Sequence, residues 1–218
     1  MIPIEQIAYG LTWLSVGTYF AAALAQAWTN FRLRSIEGLS DLFIFLYLNT
    51  YIFYMCYIFC LDLPGPYKIL EPISFCLVMT IVAQRIWYGE PHLNKRVTRL
   101  LGINGFFAGI FYMVASFEPF LMGQLAGWLT FFCDTMCQLP QAAKMHKTRS
   151  VKGFSFFYAT FIVIANTSEL LGAILLNLPI QTVLMGIKAI AIYSFFIYQF
   201  IKYRETLYDE KYQSHELK

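Results

Sequence analysis

Charge is scarce in this 218-residue sequence: 13% of residues are charged, against about 25% in a soluble domain. Apolar residues make up 58% and the mean hydropathy is +0.55. A 25.2 kDa globule has too large a surface to hide that excess, so the surplus must face lipid. The net charge of +3 is too weak a field for a nucleic-acid binder, and the apolar content excludes a disordered chain. Histidine is rarer still. His92, His146 and His215 all lie in polar segments, which leaves no base inside an apolar run and argues against an intramembrane enzyme. The five cysteines fall within apolar runs, unlike the framework of a secreted disulfide scaffold. Cys56/Cys60 and Cys133/Cys137 are each one helical turn apart, but no histidine can join them. They read as apolar filler, with no metal and no cofactor expected. The opening MIPIEQ lacks a basic region, and its apolar run reaches about Trp28, too long for a cleaved signal, so it is expected to stay as a span.

Seven segments are long and apolar enough to cross a bilayer, which takes roughly 20 residues each: about 6–27, 42–61, 67–88, 98–116, 119–142, 154–177 and 180–202. Short connections with turn chemistry separate them, among them Leu63-Pro64-Gly65-Pro66, Glu118-Pro119 and Leu178-Pro179. Backbone polar groups cannot go unpaired in lipid, so the spans are helices. Fourteen of the sixteen basic residues fall in alternate connections and the tail, including Arg32, Arg34, Lys95, Arg96, Lys144, Lys147, Arg149 and Lys152. The positive-inside rule places these in the cytoplasm, with the N-terminus outside and the C-terminus inside.

A constant shift of 115 residues brings the chain into register with itself. AQAWTNFRLRSIEGLS (25–40) lies on PQAAKMHKTRSVKGFS (140–155), with six of sixteen positions identical. The same shift aligns Trp13 with Trp128, LDLP (61–64) with LNLP (176–179), Gln84 with Gln199 and Tyr88 with Tyr203. The expected organisation is a first three-helix repeat (1–92), a linker helix (93–118), a second three-helix repeat (119–205) and a tail (206–218). One extra span between two triplets leaves both the same way up, related by an axis along the membrane normal. Gly102, Gly105 and Gly109 suggest that the linker helix packs closely on its neighbours.

The segment LPQ…KTRSVKGFS (139–155), with its degenerate copy LAQ…RLRSIEGLS ending the first span, resembles the signature of the PQ-loop family. That family includes SWEET sugar carriers, lysosomal cystine and cationic amino acid exporters and, more distantly, the KDEL receptor. The resemblance covers essentially the whole chain and implies a 3+1+3 layout. Taken alone, Pro140 removes a backbone donor and is expected to kink the fifth helix; Gln141 can serve the freed groups, and Gly153 and Ser155 read as a turn and cap for the sixth. The resemblance adds a hinge for alternating access at Gln26, Pro140 and Gln141. Ala25 replaces the proline in the first copy.

Ionisable groups at membrane depth are costly and mark pathways. Glu71, Asp134, Glu169 and Lys188 qualify; their partners at the 115-residue shift are Gly186, Tyr19, Tyr54 and Ile73. Glu169 and Lys188 lie at similar depth, as a structural pair or as substrate contacts. Asp134 has no basic residue within one turn; burial disfavours the charged form of such an acid, which suits a proton carrier, the alternative being a hydrogen-bonded structural acid. Glu71 reads as solvated at the mouth. Asn49, Tyr51, Tyr54 and Asn166, with Tyr47, Thr167 and Ser168, add uncharged polar groups along the expected path.

These features imply a multi-pass transporter of a small polar solute, an amino acid or similar zwitterion, coupled to protons at Asp134 or Glu169. Substrate contacts are expected from Asn49, Tyr51, Tyr54, Asn166, Glu169 and Lys188. A SWEET-like sugar uniporter and a KDEL-receptor-like receptor are the alternatives. The cystine carriers' acid early in the sixth helix is replaced here by Ile162. Of the SWEET prolines only Pro140 is present, with Ser74 and Ala189 near the expected asparagine positions. The receptor's arginines are missing. A bacterial inner membrane or a lysosome-like organelle would suit such a chain.

Overall fold

A computed structural model describes the backbone of residues 3–35, 39, 41–88 and 91–216, and their side chains except at 41, 70, 91–97, 100 and 204–216. The helices are α1 (Ile4–Leu33), α2 (Asp41–Cys60), α3 (Gly65–Tyr88), α4 (Pro91–Ala115), α5 (Pro119–Thr148), α6 (Phe156–Leu175) and α7 (Ile180–Glu216). All seven expected segments are helical. α1, α2, α6 and α7 each carry a window long and apolar enough to cross a membrane, and α4 a shorter apolar stretch, Leu101–Ala115. α1 and α5 run six residues past their expected basic ends. α5 continues unbroken through Pro140, and α7 extends helically through the expected tail as far as Glu216. Gly38 and Ser40 of the first motif copy lie outside the described residues, as do the side chains of Lys95, Arg96, Arg204, Lys211 and the whole of Lys218.

The helices are sorted by polarity in the way lipid demands. Trp28, Trp87, Phe106, Phe117, Phe120 and Ile201 stand exposed, while Gln26, Asn30, Gln138, Gln141, Gln181 and Gln199 are almost wholly buried. Long apolar side chains outside and hydrogen-bonding amides inside are the arrangement favoured when the solvent offers no hydrogen bonds. With its apolar helices, the chain is an integral multi-pass membrane protein.

Local geometry repeats at the same 115-residue shift as the sequence. Among described residues, the non-glycine positions with positive φ form two pairs, Arg34 (47°) with Arg149 (50°) and Asp62 (53°) with Asn177 (49°). After each of the latter, the chain closes the helix end with Leu63 N–H on Ile58 C=O (3.0 Å) and Leu178 N–H on Ala173 C=O (2.9 Å). Gln84 donates to Ala27 C=O at 3.0 Å and Gln199 to Ala142 C=O at 3.2 Å. Ser155 caps α6, its hydroxyl accepting from Tyr158 N–H at 3.3 Å, after Gly153 at φ 78°.

Packing follows the same exchange of halves. α1 packs on α3 and α6, and α5 on α7 and α2; α2 touches α3 as α6 touches α7. Size is traded across the two seams. At Gly127 an added Cβ would sit 2.8 Å from the Tyr57 ring, and at Gly123 2.7 Å from Leu61. At the matching α1/α6 seam the small residue is Gly172, facing Thr12 and Ala8. The close-approach glycines are therefore in α5, α6 and α7, where Gly186 lies against Leu170. Gly102, Gly105 and Gly109 of α4 have nothing within 4 Å, which corrects the expected tight packing of the linker helix.

Candidate functional site

α1, α2, α3, α5, α6 and α7 line a central cavity; among the described residues none from α4 does. Its volume is about 70 Å³ counted at water centres. A water needs about 10–15 Å³ on that measure, so the cavity has room for roughly five waters, or one small solute.

Two acids from the second half anchor the lining. Glu169 is buried in α6 and accepts from Tyr19 Oη (2.6 Å, Oε2) and Tyr54 Oη (2.9 Å, Oε1), one from α1 and one from α2. Asp134 of α5 forms an ion pair with Lys188 of α7, and its Oδ1 also accepts from Gln138 Nε2 at 2.8 Å. The Lys188 ammonium lies 5.5 Å from the Phe131 ring centroid. Two expectations are overturned here. Lys188 pairs with Asp134 and not Glu169, and Asp134 is not a lone acid, because its cation arrives from another helix. Glu71 is likewise not solvated: it is 2% exposed and lines the cavity.

Tyr51, Tyr54 and Asn166 line the cavity as expected, as does Tyr47. Asn166 also returns a hydrogen bond to Ile162 C=O at 2.8 Å within its own helix. Asn49 does not reach it. Its amide donates to Phe45 C=O at 2.8 Å, and it borders a separate apolar cleft between α2, α4 and α5. One residue of rotation on a helix is 100°, which puts Asn49 and Thr50 on different faces. Thr50 takes the cavity place, and Thr167 is likewise turned outward. Tyr19, Tyr158 and Tyr193 were not foreseen as lining residues; the latter two share a hydrogen bond at 3.1 Å between hydroxyls. Tyr19 carried a signal, since it is the repeat partner of Asp134. Tyr158 and Tyr193 had none, because aromatic residues crowd the lipid face too.

At the basic end, Gln26 reaches across the halves as well as along its own helix. Its Nε2 donates to Gly153 C=O (3.0 Å) and to Asn30 Oδ1 (2.8 Å), and its Oε1 accepts from Ser155 N–H (2.9 Å). Asn30 passes the network on to Gln84 at 3.0 Å. The motif glutamine of one half thus clasps the motif loop of the other. Gln141 is fully buried, and the residues matching Gly153 and Ser155 in the first copy, Gly38 and Ser40, lie outside the described set.

Comparison with known proteins finds the same duplication. The family description "PQ loop repeat" matches residues 7–67 and 122–182, together more than half of the chain and separated by the same 115 residues. A eukaryotic SWEET transporter structure superposes with a TM-score of 0.59 at 14% identity, over 88% of this chain and 99% of that one. The two share a fold. No curated protein sequence matches significantly.

Proposed function

The chain belongs to the PQ-loop repeat family, and from that premise we propose that it carries a small polar solute of the amino-acid type across the membrane by proton-coupled alternating access. The observation that carries this reading is the cavity between the two halves, lined by three acids and six tyrosines, where Glu169 of one half is held by Tyr19 and Tyr54 of the other. A protein with no need to pass a solute gains little by burying three acids there, since each is costly at membrane depth.

The architecture proposed is 3+1+3: residues 1–92 and 119–205 as parallel triplets, 93–118 as linker and 206–218 as tail, with the N-terminus outside. Tyr54 and Glu169 support it. They are equivalent at the 115-residue shift and hydrogen-bond to each other at 2.9 Å. Equivalent residues of two halves meet beside a two-fold axis, which supports an axis running through the cavity. The duplicated seams then become the surfaces on which the triplets rock.

Roles follow from position. Glu169 is the proton carrier of first choice, because hydrogen bonds to tyrosines can hold it in either protonation state. Asp134, already ion-paired with Lys188, is second. Tyr51, Tyr54, Asn166 and Glu169 face the solute; Lys188 reaches it only by releasing Asp134. Gln26, Pro140 and Gln141 form the hinge, with Gln26 as the clasp between halves. The SWEET fold also favours a second reading, neutral-solute uniport. Proteoliposome uptake of amino acids and sugars, with and without an imposed proton gradient, separates the two. Amino acid accumulation driven by the gradient is expected; gradient-independent sugar equilibration would favour the uniporter instead.

A further inference from the structure

Glu71 is the acid that the fold leaves unanswered. It sits in the second turn of α3, 2% exposed, and lines the cavity. Among the described residues it has neither an ion pair nor a hydrogen bond. Tyr67 and Ser74, one turn to either side on the same face of α3, bury their hydroxyl oxygens without a partner. Three acids therefore line one cavity, and Lys188, the cation beside it, is committed to Asp134.

An ionised carboxylate taken out of water needs a counter-charge. None of the described residues offers Glu71 one, so it is balanced either by a proton or by a cation that enters the cavity. The walls select the sign. Tyr19, Tyr47, Tyr51, Tyr54, Tyr158 and Tyr193 surround the space with aromatic rings and hydroxyls, and aromatic faces attract ammonium groups. Among the described lining residues there is no Lys or Arg, and Lys188 beside them is paired with Asp134, so none of them receives a carboxylate.

We infer that the cavity recognises its solute through an ammonium group seated against Glu71 within the tyrosine cage, and that a carboxylate on the solute is dispensable. The inference rests on the transporter reading and narrows it from zwitterions at large to amines.

Protons then compete with the solute. The groups around Glu71 are Tyr19 from α1, Tyr47, Tyr51 and Tyr54 from α2, Asp134 from α5, Tyr158 and Glu169 from α6, and Tyr193 and Lys188 from α7. Of these, Glu169 is the other acid without an ion pair. A proton taken up by Glu71 removes the charge that holds the ammonium, so amine binding weakens as pH falls. An anionic solute held by Lys188 would show the opposite trend.

The test is calorimetric titration of the full chain in lipid nanodiscs with butylamine, 4-aminobutanoate and butanoate, at about pH 7.5 and about pH 5.5. Butylamine and 4-aminobutanoate are expected to bind, butanoate not, with the amine weaker at the lower pH. Glu71→Gln should weaken butylamine by about ten- to a hundredfold, the worth of a charged hydrogen bond. If Glu71→Gln does not fold, the wild-type pH trend decides alone. Binding of butanoate, failure of butylamine to bind, amine binding that strengthens at low pH, or a folded Glu71→Gln with unchanged affinity would each overturn the inference. Sugar uptake without amine binding would sink it and leave the transporter reading standing. Amine binding without uptake of any solute would retain the site and retire that reading.

Discussion

Replacing Lys188 with methionine strands Asp134. The two side chains are 12% and 17% exposed, so little water can take the place of the ammonium. Breaking a buried pair from one side costs about 3–5 kcal/mol, because the surviving charge is uncompensated. Here Gln138 still donates to Asp134 at 2.8 Å, and some solvent contact remains, which brings the expected cost to about 2–3 kcal/mol. Methionine keeps the packing against Phe131, so lost contact adds little. The double variant Asp134→Asn/Lys188→Met carries no stranded charge and should cost about 1 kcal/mol or less. Asp134→Asn in turn leaves Lys188 buried without its partner, so the coupling energy between the two positions is at least about 2 kcal/mol. Reversible unfolding of the four proteins in mixed micelles, followed by tryptophan fluorescence, measures it. Additive losses, with a coupling below about 0.5 kcal/mol, would refute the reasoning. Lys188 would then be energetically free to meet a solute, and the charge argument for Glu71 would weaken with it.

Other consequences can be checked in the same preparations. Gly127→Ala drives a Cβ to 2.8 Å from Tyr57, a ring fixed by full burial and a 2.7 Å bond to Thr182, and should cost about 1–3 kcal/mol; Gly105→Ala meets nothing and should be neutral or raise stability by up to about 1 kcal/mol, both read from melting temperatures. Gln26→Ala leaves Ser155 N–H and Gly153 C=O without their partner across the halves, and should lower stability by about 1–3 kcal/mol and slow uptake more than Thr29→Ala, whose hydroxyl bonds only within α1. Glu169→Gln is expected to abolish accumulation driven by a proton gradient while sparing exchange between preloaded pools; undiminished accumulation would transfer coupling to Asp134. Pro140→Ala should slow uptake without unfolding α5, and unchanged rates would leave the motif a purely structural part.

Much of this architecture could be read from the chain because a bilayer simplifies the rules. Every span must satisfy its own backbone, so each long apolar run became a helix, although α1, α4, α5 and α7 extend beyond their expected limits at the basic end, and one constant shift located the duplicated turns at Arg34/Arg149 and Asp62/Asn177. Where expectation failed, it failed on contacts between helices. Asp134 looked isolated because its own helix offers no cation within a turn, yet its partner lies 54 residues away. Glu71 looked solvated because it stands near a helix start. Gln26, expected only as part of a hinge, bonds across to the motif loop of the opposite half. Asn49 lies one residue from a cavity position and turns away from it.

Composition and periodicity by themselves determined that the chain lives in lipid, that its apolar runs are helices, and that it is built twice. Those properties depend on sums over segments and on local backbone bonding, which sequence records directly. The tertiary structure alone decided which acid meets which cation, which tyrosines close on Glu169, and that Glu71 has no partner among the described residues. A hydrogen bond in a helical bundle is set by rotation and depth to within an ångström or two, and each residue along a helix turns the side chain by 100°. No local rule carries that information from one helix to another, so the polar chemistry of the cavity emerged only when the two halves were packed together.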